Sequence, residues 1–378
     1  MSGTAAFDGA PERGTINFSV GQPSADLLPL KLLGSAGERF FGDAAPFDLN
    51  YGQRQGDARF RAALSAFLEA ASGPPVDPDS LMLTGGISQA LDFACGRLTR
   101  PGDVVFVEEP SYPYSFQIFR DHGLDVVGVP MDGAGMDVGR LERLLAERRP
   151  KIVYTIPAFH NPTGQVMARD RRDRLVALSR EHGFVIVADE VYQHLYHGDP
   201  PPQSFGTQVG AGHVLSLGTF SKILAPGLRL GWIQGSPDLM KTLLSSGALV
   251  SGGNFNHFTS HVVRKLMESG ELAAFVAQLR VSYSERAQAM DAALRKHLAG
   301  IARWQKPGGG YFFWLELPEG ADCASLEAAA RAAGTGFLPG NACSTSAGLR
   351  HCLRLSFAHY TVPDIHEGIA RLRKAFIK

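Results

Sequence analysis

Thr219-Phe220-Ser221-Lys222, followed by Pro226-Gly227-Leu228-Arg229-Leu230-Gly231, sets one lysine among hydroxyls, with a tight turn and an arginine close behind it. The lysine ends a largely apolar run from His213 to Phe220, which reads as a buried strand whose end opens into a pocket. An amine there is desolvated, so its pKa falls and it can act as a nucleophile near neutral pH. The arginine offers a planar fork of donors suited to a phosphate. The alternative reading is a surface lysine and arginine at a strand-to-loop junction.

A nucleophilic amine beside a phosphate clamp is what an aldehyde-bearing phosphorylated cofactor requires, and pyridoxal phosphate is such a cofactor. Upstream, Phe184-Val185-Ile186-Val187-Ala188-Asp189-Glu190-Val191-Tyr192 is an apolar strand that ends in an acid. A carboxylate buried there is costly unless it meets a cation or donors. A protonated pyridine nitrogen would serve, and would depress the acid's pKa; a helix cap or simple strand-end acid is the alternative. Ile152 to Pro157 is another strand, leading into His160-Asn161-Pro162-Thr163-Gly164. The proline disfavours helix at Asn161, so its amide is presented from an extended or turn segment. Arg354, in Leu353-Arg354-Leu355-Ser356-Phe357, lies in an alternating strand; facing inward it needs an anion, facing outward it needs nothing. Leu81-Met82-Leu83, the turn Thr84-Gly85-Gly86 and an amphipathic helix from Ile87 to Leu98 aim N–H groups and a positive helix end at an anion.

With these pieces the chain resembles the fold-type I pyridoxal phosphate-dependent aminotransferases of class I/II, from about Phe18 to Phe357. Its Ser19-Val20-Gly21-Gln22-Pro23 and short N-terminus are most similar to the 2-aminoadipate and kynurenine aminotransferase branch. The resemblance implies pyridoxal 5'-phosphate as cofactor and gives each residue a role. Lys222 corresponds to the lysine of the internal aldimine, which later shuttles the proton, and Asp189 to the acid paired with the pyridinium nitrogen. Asn161 and Tyr192 correspond to the pair on the ring's 3-oxygen, and Tyr112, in Glu108-Glu109-Pro110-Ser111-Tyr112, to an aromatic stacked on the ring. Gly86, Ile87, Ser88, Thr219, Ser221 and Arg229 correspond to the phosphate site, and Tyr51 to a tyrosine reaching the phosphate of a neighbouring subunit. That last match implies a homodimer with shared active sites. Arg354 corresponds to the arginine that grips the substrate α-carboxylate, with Asn161 and Gly21 close to bound substrate. One departure stands out: after Pro339-Gly340 many relatives carry a phenylalanine, where this chain has Cys343-Ser344. Asn254, Asn256 and His257 either face the pocket or serve structure.

The element order predicts an α/β fold. Strands near Leu81, Val104, Ile152, Val185 and Val214 alternate with helical stretches, the pattern of a mainly parallel central sheet covered by helices. Ala58 to Ala71 shows helical periodicity, with Phe60, Leu64, Phe67, Leu68 and Ala71 on one side. From about Ser269 a long helical run extends to Leu298, followed by strands at Tyr311 to Leu317 and Cys352 to Phe357. The expected division is an N-terminal segment (1–45), a large cofactor-binding domain (46–270) and a smaller α+β C-terminal domain (271–378), an aspartate aminotransferase-like architecture. In open α/β sheets ligands bind beyond the carboxyl ends of strands, where Asp189 and Lys222 both fall.

Composition sets the bounds. The 378 residues suffice for a large core. With 37 basic and 37 acidic residues, there is no electrostatic case for nucleic acid or an anionic membrane as partner. Arg169 to Arg174, alternating with Asp170 and Asp173, reads as a solvated helix face. Cys95, Cys323, Cys343 and Cys352 show no paired spacing, which points to a reduced, cytoplasmic protein. His194 and His197 lack a third convergent ligand, so no metal is expected. Met1 to Gly14 has no apolar signal core. Thr242 to Val263 is uncharged but too polar for a membrane span, and reads as a loop and helix start near the site.

The expected partners are an amino acid and a 2-oxo acid, 2-oxoglutarate or pyruvate, exchanged by a ping-pong mechanism. A lyase, decarboxylase or oxidase on the same cofactor is the competing reading. A non-catalytic effector domain of a bacterial regulator is another; few residues precede Phe18 to build a DNA-binding domain.

Overall fold

The computed structural model describes residues 14–376; most of the segment read above for a signal peptide lies outside them. Its strands are β1 (Ile16–Asn17), β2 (Leu81–Thr84), β3 (Val104–Glu109), β4 (Asp125–Asp132), β5 (Gly135–Met136), β6 (Pro150–Thr155) and β7 (Val185–Asp189). They continue with β8 (Val214–Thr219), β9 (Gly231–Gly235), β10 (Arg303–Trp304), β11 (Phe312–Glu316), β12 (Thr335–Gly336), β13 (Leu338–Pro339) and β14 (Cys352–Ser356).

Eight strands form the large sheet in the order β2-β9-β8-β7-β6-β3-β4-β5. β3, β4, β6, β7 and β8 pair in parallel, and only β9 and β5 run against their neighbours. The central strands are buried along nearly their whole length. That burial follows from cover on both faces, and it explains why these strands read as continuous apolar runs rather than alternating ones. One face packs Val107, Tyr154, Val187 and Leu217 against Leu91, Ala94, Phe116 and Phe119 from the helices Ile87–Leu98 and Pro113–Asp121. The other packs Phe106, Val153 and Ile186 against Leu141, Leu145, Leu175 and Val176 from the helices Val138–Glu147 and Arg169–His182.

The C-terminal part is a four-stranded antiparallel sheet, β10-β11-β14-β13, beside the long helix Glu271–Leu298. The start of the chain belongs with it. β1 pairs in parallel with β12, and the Ser356 N–H donates to the Phe18 carbonyl at 2.8 Å. Arg286 of the long helix donates to Ser24 Oγ (2.7 Å) and the Ala358 carbonyl (2.6 Å) and pairs with Asp26 (3.0 Å).

All five strands expected in the large sheet are present, as are the helices Ala58–Ser72 and Ile87–Leu98. β4, half-exposed, and β9, short and glycine-flanked, carried no comparable signal. Three expectations need correction. Ala71 is exposed, because it lies in the last turn, beyond the core that buries Phe60 and Leu64. Arg172 is not on a solvated face: it is 2 % exposed and donates to the carbonyls of Met167, Pro157 and Gln203 at 2.8–3.1 Å. Those acceptors sit in the loops after β6 and before Phe205, so only the tertiary fold presents them. Thr242 to Val263 is mostly helical, in the helices Pro237–Leu244, Gly247–Gly252 and His257–Glu268. No helix among the described residues is long and apolar enough to cross a membrane.

Candidate active site

Asp189 is the last residue of β7, and Lys222 follows the end of β8 after Phe220 and Ser221, so both emerge where the parallel sheet ends. Lys222 is half-buried; its Nζ donates to the Gly21 carbonyl at 2.9 Å and lies 5.4 Å from the centre of the Tyr311 ring. Burial above all, then the positive charges of Arg354 and Arg229, push its ammonium down to about 8. The free amine is therefore far more populated near neutral pH than in an ordinary lysine, as a nucleophile or base requires.

Asp189 is 4 % exposed. It accepts from the Tyr154 hydroxyl at 2.8 Å and the Val191 N–H at 3.3 Å, both uncharged donors. Burial pushes its carboxyl up to about 6; the lowered value expected from the sequence belongs to the acid with a protonated ring nitrogen beside it. A depressed value requires a cation at the carboxylate, and neither of these donors supplies one. A buried acid with neutral partners at the mouth of a sheet is suited to a cationic ligand atom.

Arg354, central in β14, is 5 % exposed and faces inward. Nη1 donates to Asn161 Oδ1 (2.9 Å), Nη2 to the Ser19 carbonyl (2.7 Å), and the guanidinium stands 4.1 Å from the Phe312 ring centre. Its Nε is buried without a hydrogen-bond partner, so the fork keeps capacity for an anion. Gly21 admits that approach: a Cβ there would come within 3.1 Å of Phe312 and 3.9 Å of Arg354 Nη2. Tyr192 is buried with its ring 5.2 Å from Tyr311 and 5.9 Å from Phe312, and burial holds its phenol well above the usual range. Tyr112 caps the helix Pro113–Asp121, and burial, then the Asp189 charge, raise its phenol as well.

The expected phosphate residues form a second group. The helix Ile87–Leu98 starts at Gly86, whose φ of +89° only glycine adopts freely. A Cβ there would lie 2.9 Å from Arg229 Nη2, so the guanidinium closes directly over the helix start. Arg229 is exposed and donates to the carbonyls of Gly85 (3.0 Å) and Pro226 (3.1 Å). The Thr219 and Ser221 hydroxyls are 2.9 Å apart. Ile87 is half-buried and Ser88 exposed at the same helix start. Tyr51 stands apart: it is 82 % exposed and makes no ring contact or side-chain hydrogen bond with these residues within one chain.

Several neighbours escaped sequence reasoning. Tyr154, Tyr311 and Phe312 line the cluster; the glycines before Tyr311 were the only local cue. His160 Nε2 lies 3.1 Å from Glu108 Oε2, and Glu108 also accepts from Thr155 Oγ1 (2.7 Å) and the Ile156 N–H (2.8 Å), which pins the loop carrying Asn161. Asn254 is structural, its amide donating to the carbonyls of Arg54 (2.9 Å) and Leu83 (3.0 Å). Asn256 donates to the Arg229 carbonyl. Cys343 is buried, its thiol pushed up to about 12, and its carbonyl accepts from the Ser111 N–H at 2.8 Å. A cavity of about 280 Å³ lies apart, lined by Glu190, Ser216, Gly218, Trp232 and Arg280. Among the described residues no His, Cys, Asp or Glu side chains are grouped to hold a metal.

Known proteins resemble this chain along most of its length. An aromatic-amino-acid aminotransferase of Thermococcus litoralis is 34 % identical over 94 % of this chain and 87 % of its own length. An HTH-type transcriptional regulator of Bacillus subtilis is 31 % identical over 94 % of this chain and 73 % of its own. The crystal structure of Pyrococcus horikoshii kynurenine aminotransferase, in complex with PMP, superposes with a TM-score of 0.90 at 32 % identity, covering 96 % of this chain and 91 % of that one. The family model for aminotransferase class I and II matches residues 13–372, and the chain belongs to that family.

Proposed function

We propose that this chain binds pyridoxal 5'-phosphate and moves an amino group from an α-amino acid to a 2-oxo acid, 2-oxoglutarate or pyruvate. The two half-reactions follow ping-pong kinetics, the first product leaving before the second substrate enters. One observation carries the reading: Lys222, its amine depressed, lies within electrostatic reach of Asp189, a buried acid hydrogen-bonded by uncharged donors, and of Arg354, whose Nε has no partner.

The residues fit the cofactor. Lys222 would hold it covalently, and Asp189 would pair with its ring nitrogen. Asn161 and Tyr192 would bond its 3-oxygen, and Tyr112 would stack on the ring. Gly86, Ile87, Ser88, Thr219, Ser221 and Arg229 would take the phosphate, with Tyr51 arriving from a second copy in a homodimer. The close approach of the Arg229 guanidinium to the helix start at Gly86, which a Cβ would obstruct, supports the phosphate assignment. Bound, the cofactor supplies an electron sink for the substrate's α-carbon.

Arg354 orients the substrate by its carboxylate, beside Asn161 and Gly21. Lys222 Nζ, once free, would take the α-proton and return it to the cofactor's former aldehyde carbon. The large (46–270) and small (271–378) domains would each contribute one side of the site. The Bacillus relative favours a second reading, a sensing domain that binds cofactor without turnover.

The test is the visible spectrum of the purified protein with pyridoxal phosphate, followed by amino acids added singly. A lysine-linked band that an amino acid converts, and that Lys222→Ala loses along with turnover, is the expected result. No band overturns the Lys222 assignment. A band that no amino acid changes favours sensing, and a decarboxylated product favours the lyase class.

A further inference from the structure

We propose that Tyr154 is a positioning residue that holds Asp189 ionised, with one carboxylate oxygen left for the cofactor's ring nitrogen. The proposal rests on the cofactor reading above.

The sheet register puts the two side chains together. β6 and β7 are parallel with Tyr154 opposite Val187, so Tyr154 shares a face with Val187 and Asp189. Asp189 lies two residues further along β7, about 6.6 Å of strand rise, which a tyrosine side chain can span. The ring is fully buried and edge-packed on Phe119 at 5.5 Å, so its direction is set. Its hydroxyl donates to Asp189 Oδ2 at 2.8 Å. The phenol is held well above its usual range by burial, then by the Asp189 charge, and remains a donor at any working pH.

The two carboxylate oxygens are therefore unequal. Oδ2 is engaged by Tyr154, whereas Oδ1 has one long contact, 3.3 Å to the Val191 N–H. Oδ1 keeps capacity for a further donor, and a ring N–H is the donor the site requires. A phenol donating to the other oxygen makes the carboxylate a weaker base, so the shared proton stays on the ring nitrogen. The other titratable groups that face Asp189 are Glu190 and His160, Lys222 beyond β8, and the phenols of Tyr112 and Tyr192. Of the side chains, Tyr154 is the one that hydrogen-bonds it.

Tyr154→Phe removes only the hydroxyl. In the cofactor-free protein, 13C NMR of the Asp189 carboxyl should show its acidity constant about 10-fold smaller than in the unsubstituted protein, the loss of one bond to a charged group. In the holoenzyme, 15N-labelled pyridoxal phosphate should show its ring nitrogen shifted toward the unprotonated form. Changed thermal stability with both NMR signals in place would mark a merely structural tyrosine and overturn the proposal. Should Tyr154→Phe not fold, 3,5-difluorotyrosine at position 154, a stronger donor of similar size, should move both signals the opposite way; no movement refutes it equally. The first measurement needs no cofactor. Failure of the unsubstituted protein to bind pyridoxal phosphate would therefore sink the cofactor reading separately.

Discussion

Arg354→Lys keeps the charge of the arginine proposed to hold the substrate carboxylate and removes its fork. In the structure Nη1 and Nη2 are committed to Asn161 Oδ1 and the Ser19 carbonyl, at 2.9 and 2.7 Å, and the guanidinium plane rests on Phe312. A single ammonium cannot keep both bonds and also meet both oxygens of a carboxylate. Losing one charge-assisted bond to the substrate costs about 1.5–3 kcal/mol, roughly a 10- to 150-fold fall in kcat/KM. An orphaned Asn161 or Ser19 oxygen adds about 1–3 kcal/mol of lost stability, which a melting curve reports separately. The assay is single-turnover spectroscopy with an accepted amino acid and with the amine that lacks its carboxylate. The variant should lose rate with the amino acid and change little with the amine, so that their ratio collapses. An equal fall for both would show general damage to the site. No fall for either would show that the substrate carboxylate binds elsewhere.

Gly86→Ala forces a side chain onto a φ of +89° and into Arg229, which costs about 1–3 kcal/mol of strain. The expected outcome is weaker retention of pyridoxal phosphate on dialysis, with free phosphate competing less well; unchanged retention would remove Gly86 from the phosphate site. Lys222 makes cofactor-free protein pH-sensitive. Its folded-state pKa, about 8, lies below its ordinary value of 10.5, so the unfolded chain binds more protons in that window. Stability from this group is present above about 10.5 and lost as pH falls through about 8. Urea midpoints should therefore rise from pH 8 to 10 relative to Lys222→Met, and parallel curves would contradict the buried amine.

Much of the site was legible in sequence because its chemistry sits at strand ends. Asp189 and Lys222 each break an apolar run, and a charged residue there announces a pocket before any fold is known. Asn161 before its proline and Gly86 before a helix carry local backbone signals of the same kind. Arg354 was ambiguous, since an alternating strand does not say which face is buried. The pairing with β11 and β13 turns it inward against Phe312. Arg172 was misread for the same reason: its charges along the helix look solvated, and only the loops folded over it supply the carbonyls that bury it.

Sequence alone determined the parallel α/β core, the lysine and acid at its edge, and the glycine turn that opens the helix Ile87–Leu98. These follow from periodicity, from the cost of burying charge and from backbone preferences, all of which act within a few residues. Tertiary structure alone decided that Gly21 caps Lys222, that Asn161 and Ser19 share Arg354, and that Tyr154 reaches Asp189. Those contacts join residues 35 to 335 positions apart. They depend on strand register and on the return of the N-terminal segment to the C-terminal sheet, and no local propensity encodes either.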